Sequence, residues 1–313
     1  MKPKTIAQLV SLIAFFIIIS LVYLLQPVST SQVVKVPAGS SSLIVRTFMK
    51  QGYNLNEWDK YILYFIGQPQ KGYIDLGFRE TTKINFLYSL TKAKGALVGL
   101  PAIPGNSTYL FLSDIAAKMT LDHNLLYELY LKQALYIDGV ILAETYTFNR
   151  NMDEQEVIDF LISYSQKEHK KLANQYLNHY DQQEWFRYIT IASLIQKESA
   201  SQSEMPLVSS VIYNRLKAKM LLQMDSSINY AKNSKTKMTS KRLKQDNSPF
   251  NTYKNKGLPP SPIAIVSLDA IEAAIYPAVS DYLYFVKKPH SKEHIFSTNY
   301  REHIKHIGSL KRR

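Results

Sequence analysis

The chain has 313 residues, 46% hydrophobic and 20% charged, and its 38 Lys and Arg against 25 Asp and Glu leave a formal net charge of +13. That composition is too apolar for a disordered chain, and the length suffices for an anchor plus two modest folded units. The lack of cysteine excludes disulfides, thiolate metal sites and cysteine nucleophiles, while the basic excess favours polyanionic surroundings such as nucleic acid, an anionic membrane or an acidic polymer.

Thr5 to Leu25 contains no charged residue. About 20 residues at ~1.5 Å each cross a hydrocarbon layer of about 30 Å. The run closes on Tyr23-Leu24-Leu25-Gln26-Pro27 rather than on a small-x-small cleavage site, which points to a retained transmembrane anchor over residues 5–26. Lys2 and Lys4 lie ahead of it, so the positive-inside bias keeps residues 1–4 in the cytoplasm. The rest of the chain then lies outside the inner membrane, away from nucleic acid and beside the cell-wall polymer.

Pro27 to Lys35 reads as a Ser/Thr/Val linker opening a first module over residues 27–99. Within it, Ser40 is placed to cap a short helix over 43–50; a second helix covers 56–66, a strand 71–78, and a third helix 82–91. A second module, residues 100–313, opens with mostly helical sequence over 113–135 and an extended stretch over 140–148. Long apolar periodicities then predict helices over 153–180, 184–198 and 207–219. Lys232 to Gln245 is rich in Lys, Ser, Thr and Asn and reads as a solvated loop. Ser267 can cap a helix ending at Pro277, and 282–286 with 294–297 read as two strands. The fold class expected is α+β.

Within the 184–198 helix, Glu198 follows Ile191, Leu194 and Ile195 by seven, four and three residues. That spacing puts its carboxyl at the end of the apolar face. A carboxylic acid partly removed from water has a raised pKa, as a general acid near neutral pH requires. Around it stand several blocks in a fixed order: Ala192 to Ser199, Val211-Ile212-Tyr213-Asn214-Arg215-Leu216, Leu222-Gln223-Met224-Asp225, and Ser248-Pro249-Phe250-Asn251-Thr252-Tyr253. Gly257-Leu258-Pro259-Pro260, Tyr282 to Val286, His294-Ile295-Phe296 and Asn299 to His303 follow.

In this order the blocks resemble the endolytic murein transglycosylase family, the YceG-like proteins. The resemblance implies a single-pass inner-membrane enzyme with a periplasmic portion, made of a small LysM-like α+β subdomain (27–99) and an α+β catalytic domain (100–313). Its activity would be lytic cleavage of the MurNAc–GlcNAc bond of peptidoglycan, giving 1,6-anhydro-MurNAc ends and terminating nascent strand elongation. The family's catalytic glutamate falls on Glu198. Asn214, Arg215, Gln223, Asp225, Asn251, Thr252 and Tyr253 fall on its other polar motif positions, where they either hold sugar groups or brace loops. Gln196 stands where an acidic residue is common, which leaves Glu198 the only carboxylate of its block. Glycan strands are the expected partner, with peptidoglycan synthases as neighbours in the membrane; no cofactor or metal is implied.

Rival readings fare worse. Two Ser-x-x-Lys matches, Ser89–Lys92 and Ser234–Lys237, lack the Ser-Asp-Asn and Lys-Thr-Gly of penicillin-binding enzymes. His290, His294, His303 and His306 cluster, but no His-Glu-x-x-His is present. A membrane-tethered, non-catalytic wall-binding module and a hydrolytic muramidase are the alternatives.

Overall fold

The structure, a computed structural model, describes residues 3–236, 239–289, 291 and 293–311; Lys2, Lys237 and His290 lie outside them. Helices and strands are mixed, and two compact units divide the chain: Met1–Val98 with Thr147–Asn151, and Gly99–Tyr146 with Met152–Arg313.

The first unit opens with α1 (Pro3–Leu24), long and apolar enough to cross a membrane and solvent-exposed along its length. The segment expected to be a linker is folded instead, as β1 (Pro27–Ser29) and β2 (Val33–Val36). Its Ser/Thr content hid the reason: Val28, Val34 and Val36 are each at most 3% exposed and enter the core. There follow α2 (Ser41–Lys50), α3 (Asp59–Ile66), β3 (Gly72–Asp75), β4 (Glu80–Thr82) and α4 (Lys83–Lys92). The Ser40 hydroxyl caps α2 by accepting the Leu43 N–H, one of the donors a helix start leaves open. β1 pairs antiparallel with β4, and β2 antiparallel with β3, Val36 opposite Gly72. Phe48 and Phe86, edge to face at 5.5 Å, centre the core between these sheets and helices. β5 (Leu97–Pro101) pairs with β6 (Thr145–Asn149).

In the second unit the helical stretch expected over 113–135 is two helices, α5 (Thr108–Met119) and α6 (His123–Gln133). Thr120 breaks them with φ 63°, and Asp122 caps the second by accepting from Asn124 and Leu125. α7 (Glu154–Leu177) starts in a reciprocal capping box between Asp153 and Glu156. α8 (Gln182–Glu198), α9 (Met205–Lys217), α10 (Ser240–Gln245) and α11 (Leu268–Ile275) follow, then the antiparallel strands β7 (Tyr284–Lys287) and β8 (His294–Ser297) and a final α12 (Tyr300–Lys311). The basic stretch read as a loop thus contains α10. Arg242 holds it down, donating to Ile228 O at 2.7 Å and Asn229 Oδ1 at 2.6 Å.

α8 is the central element, packed on α9 and α11. Trp185, Ile189, Ile191, Ala192, Leu194 and Ile195 are wholly buried. Burying one such aliphatic side chain contributes roughly 1.5–3 kcal/mol, so α8 is fixed over its whole length. Two polar contacts align it: the Trp185 indole N–H donates to His169 Nδ1 at 2.9 Å, and the Ser193 hydroxyl accepts the Ile263 N–H at 3.1 Å. His169 in turn donates from Nε2 to Val140 O at 2.8 Å, a tautomer consistent with a neutral ring.

Burial lowers the His169 pKa from 6.5 to about 4. The unfolded chain therefore takes up a proton below about 6.5 that the folded ring refuses until about 4, so stability falls as pH drops through that window. The loss amounts to about 3 kcal/mol at its full extent. Urea denaturation of the detergent-solubilised chain between these pH values is expected to show this decline. His169→Gln, which cannot titrate, should show a shallower slope.

Candidate active site

α8 ends at Glu198, and there its buried face runs out into a cavity of about 350 Å³ that is open to solvent. Glu198 lies half-buried on the cavity wall. Its Oε1 accepts the Ser226 N–H at 3.3 Å. Burial raises the carboxyl's pKa above its ordinary value; contacts with Ser226 and the charge of His294 oppose the rise, and nearby Asp225 reinforces it. Desolvation penalises the charged form, and one long hydrogen bond is weak compensation for a full negative charge. Burial thus moves the balance toward the protonated acid relative to a free glutamate.

The cavity wall opposite α8 comes from the turn after α9. Leu222, Gln223, Met224 and Asp225 all line it, Gln223 in the left-handed region at φ 50°. Tyr253 reaches the same space and donates its hydroxyl to Asp225 Oδ1 at 2.6 Å. Burial, with the Asp225 hydrogen bond second, raises the phenol's pKa, so Tyr253 stays protonated. Arg215 lines the cavity, and its guanidinium lies over the Tyr284 ring at 5.0 Å. Its nitrogens donate to Leu283 O at 2.6 Å and Leu222 O at 2.8 Å. Arg215 therefore ties the β7 approach to the turn bearing Gln223.

Three motif residues are placed elsewhere. Asn214 donates its amide to Ser280 O and Tyr282 O, at 2.8 and 3.0 Å. Asn251, fully buried, donates to Leu243 O and Asp246 O and accepts the Tyr253 N–H. The Thr252 hydroxyl accepts the Met224 N–H at 3.0 Å. None of the three lines the cavity; each satisfies backbone groups that a buried loop would otherwise leave unpaired. Of the two alternatives open for these positions, loop bracing describes their contacts. Glu204, another carboxylate near α9, is engaged on both oxygens by His294, through its N–H and its Nδ1.

Six cavity residues were not among the site residues expected from sequence: Leu222 and Met224 beside Gln223, and Tyr284, Phe285, Tyr300 and His303. His303 stacks on Tyr284 with ring centres 5.1 Å apart, and its buried Nδ1 has no hydrogen-bond partner. Burial, then the charge of Arg215, lowers its pKa, so the ring is neutral. The blocks of Tyr284, Phe285, Tyr300 and His303 carried the family resemblance, but only the β7–β8 pairing and α12 bring them to the cavity. Among the described residues no group of three or more His, Asp or Glu converges as for a metal ion, and Gln196 is occupied by Ser267 at the start of α11.

Comparison with known proteins places this geometry. The YceG-like family matches over residues 34–309. The chain belongs to the YceG-like family. An endolytic murein transglycosylase of Bacillus subtilis (strain 168) is 36% identical over 177 residues, covering 54% of this chain and 46% of that protein. Endolytic murein transglycosylases of Streptococcus pneumoniae strains D39 and R6 are 32% identical over 188 residues, 55% of this chain and 32% of theirs. The matched region thus spans less than half the length of these curated relatives. The crystal structure of a YceG-like protein from Listeria monocytogenes superposes with a TM-score of 0.58 at 25% identity, covering 87% of this chain and 98% of that one.

The division between cavity-lining and bracing residues has a direct test. Asn251→Ala leaves two buried carbonyls and an amide unpaired and is expected to destabilise the fold by about 2–4 kcal/mol. Gln223→Ala, at an exposed position, is expected to shift stability by less than about 0.5 kcal/mol. Urea midpoints of the full chain in detergent measure both.

Proposed function

We propose that this chain is a membrane-anchored endolytic lytic transglycosylase acting on peptidoglycan glycan strands, with Glu198 as its single acid/base. The observation that carries the reading is the desolvated Glu198 carboxyl beside an open, polar and aromatic cavity, in a chain of the YceG-like family. The protonated carboxyl donates its proton to the glycosidic oxygen as the bond from MurNAc C1 to the GlcNAc oxygen breaks. The resulting carboxylate takes the proton from the MurNAc C6 hydroxyl as that oxygen bonds to C1, closing the 1,6-anhydro ring. No water is consumed, and Glu198 ends protonated for the next turnover. Intramolecular attack is what lets one carboxyl suffice.

Gln223, Asp225, Tyr253 and Arg215 would contact the sugars, Tyr284 and His303 would stack against them, and Asn214, Asn251 and Thr252 would hold the loops that carry these residues. α1 would anchor the chain in the inner membrane with residues 1–4 cytoplasmic and the chain beyond residue 26 periplasmic. The first module would be the LysM-like subdomain of residues 27–99, and residues 100–313 the catalytic domain. Terminating nascent strands beside membrane-bound synthases would follow from that location.

One observation favours a second reading, a hydrolytic muramidase. Asp225 lines the same cavity as Glu198, and glycoside hydrolases use two carboxylates. Digestion of purified sacculi separates the two readings. The lytic reading predicts 1,6-anhydromuramyl ends, whereas reducing muramic ends would establish hydrolysis. Glu198→Gln keeps the side chain's size but cannot exchange the proton. It is expected to cut the cleavage rate by about 100- to 10,000-fold with an unchanged unfolding midpoint; undiminished activity would refute the assignment.

A further inference from the structure

α3 is amphipathic in an unusual sense. Its inner side contributes Asp59 and Leu63, both wholly buried, while Ile62 and Ile66 pack partly against the first unit's core. Its outer side, with the residue just before it, is aromatic: Trp58 is 72% exposed, Tyr61 52%, Tyr64 73% and Phe65 85%. Positions 58, 61 and 65 follow the i, i+3, i+7 spacing of one helical face, and about 10 Å of helix separates its ends. Four exposed aromatic rings on one short segment form the kind of apolar patch that soluble surfaces rarely tolerate without a partner.

What lies next to this patch is the end of α1. The Tyr23 hydroxyl, in the last turn of α1, donates to Asp59 Oδ1 at 2.8 Å, and Asp59 Oδ2 accepts the Asn56 N–H at 2.8 Å. The Lys83 ammonium closes the cluster, lying 3.9 Å from Asp59 Oδ2, 3.1 Å from Gln26 Oε1 and over the Tyr23 ring at 3.7 Å. Lys83 and Asp59 are both buried, so separating them would strand a charge away from water. The start of α3 is thereby latched to the last turn of α1 with no flexible linker between.

The 22 residues of α1 make about 33 Å of helix, against a hydrocarbon layer of about 30 Å. If α1 spans the bilayer, Tyr23 stands at the lipid–water interface and the start of α3 stands there with it. Trp and Tyr favour that level, with the ring among acyl carbons and the polar atom among headgroups. Lys60, whose ammonium lies 5.1 Å from the Tyr61 ring centre, can present its charge to lipid phosphates while its stem stays on the apolar side.

We propose that Trp58, Tyr61, Tyr64 and Phe65 dock α3 into the interfacial layer of the outer leaflet, making lipid the partner of this face and seating the first unit directly on the membrane. The proposal rests on reading α1 as the anchor. The chain's two tryptophans provide the test, because Trp58 is exposed on α3 while Trp185 is wholly buried in the second unit. The full chain is reconstituted into phosphatidylethanolamine/phosphatidylglycerol vesicles containing lipids brominated either near the headgroup or near the acyl terminus. Bromination near the headgroup is expected to quench a blue-shifted Trp58 component several-fold more than bromination near the terminus. Trp58→Phe should abolish the lipid-dependent quenching and leave Trp185 emission intact.

A chain that floats with the vesicles and resists carbonate extraction, yet keeps a red-shifted Trp58 open to aqueous iodide, overturns the docking while leaving the anchor in place. A blue shift that depends on protein concentration and not on brominated lipid assigns the face to a second copy and likewise overturns it. A chain extracted by carbonate overturns the anchor, and the docking with it.

Discussion

The second unit is organised around a helix whose complete burial from Ile189 to Ile195 leaves it almost no freedom to move. From Ile189 to Ile195 every residue of α8 is buried, and Glu198 is the first carboxylate along it after that stretch begins. Because the helix is fixed by its packing, the carboxyl is held at one place on the cavity wall without a network of ionic partners. A salt bridge would hold it as firmly but would pull its pKa down. Positioning by packing, with the Ser226 N–H as a single hydrogen bond, leaves burial to push the pKa above its ordinary value, the direction that protonation of a leaving group requires.

The rest of the cavity is assembled from segments distant in sequence, and its polar residues divide by what they bond. Asn214, Asn251 and Thr252 satisfy backbone groups of the loops around them. Gln223 and Asp225, and Tyr253 directly after Thr252, line the cavity. Arg215 does both, holding the carbonyls of Leu222 and Leu283 while lining the cavity beside Tyr284. This alternation of brace and contact follows from buried backbone groups needing partners.

The helices with strong apolar periodicity, α7, α8, α9 and α11, were legible in the sequence because one face of each had to be covered. The position of Glu198 at the end of such a face followed from the spacing of Ile191, Leu194 and Ile195 alone. Other features were hidden for specific reasons. β1 and β2 looked like a linker because only three valines carry their burial. The break at Thr120 depends on a left-handed conformation that a threonine does not advertise. Tyr300 and His303 stood in a terminal motif block with no helix assigned to it, so they could not be placed at the cavity before α12 and the β7–β8 pairing brought them there. Motif position also could not separate Asn251 from Tyr253, since that distinction is made by what each side chain meets in three dimensions.

If the carboxyl's proton is set by burial at the end of α8, its titration reports that directly. Carbon-13 NMR of the full chain labelled at glutamate carboxyls, with the Glu198 resonance assigned by its loss in Glu198→Gln, measures the midpoint. The account predicts titration above the ordinary value of 4.5 for this residue. A Glu198 that titrates at or below that value, alongside the exposed glutamates, would contradict it.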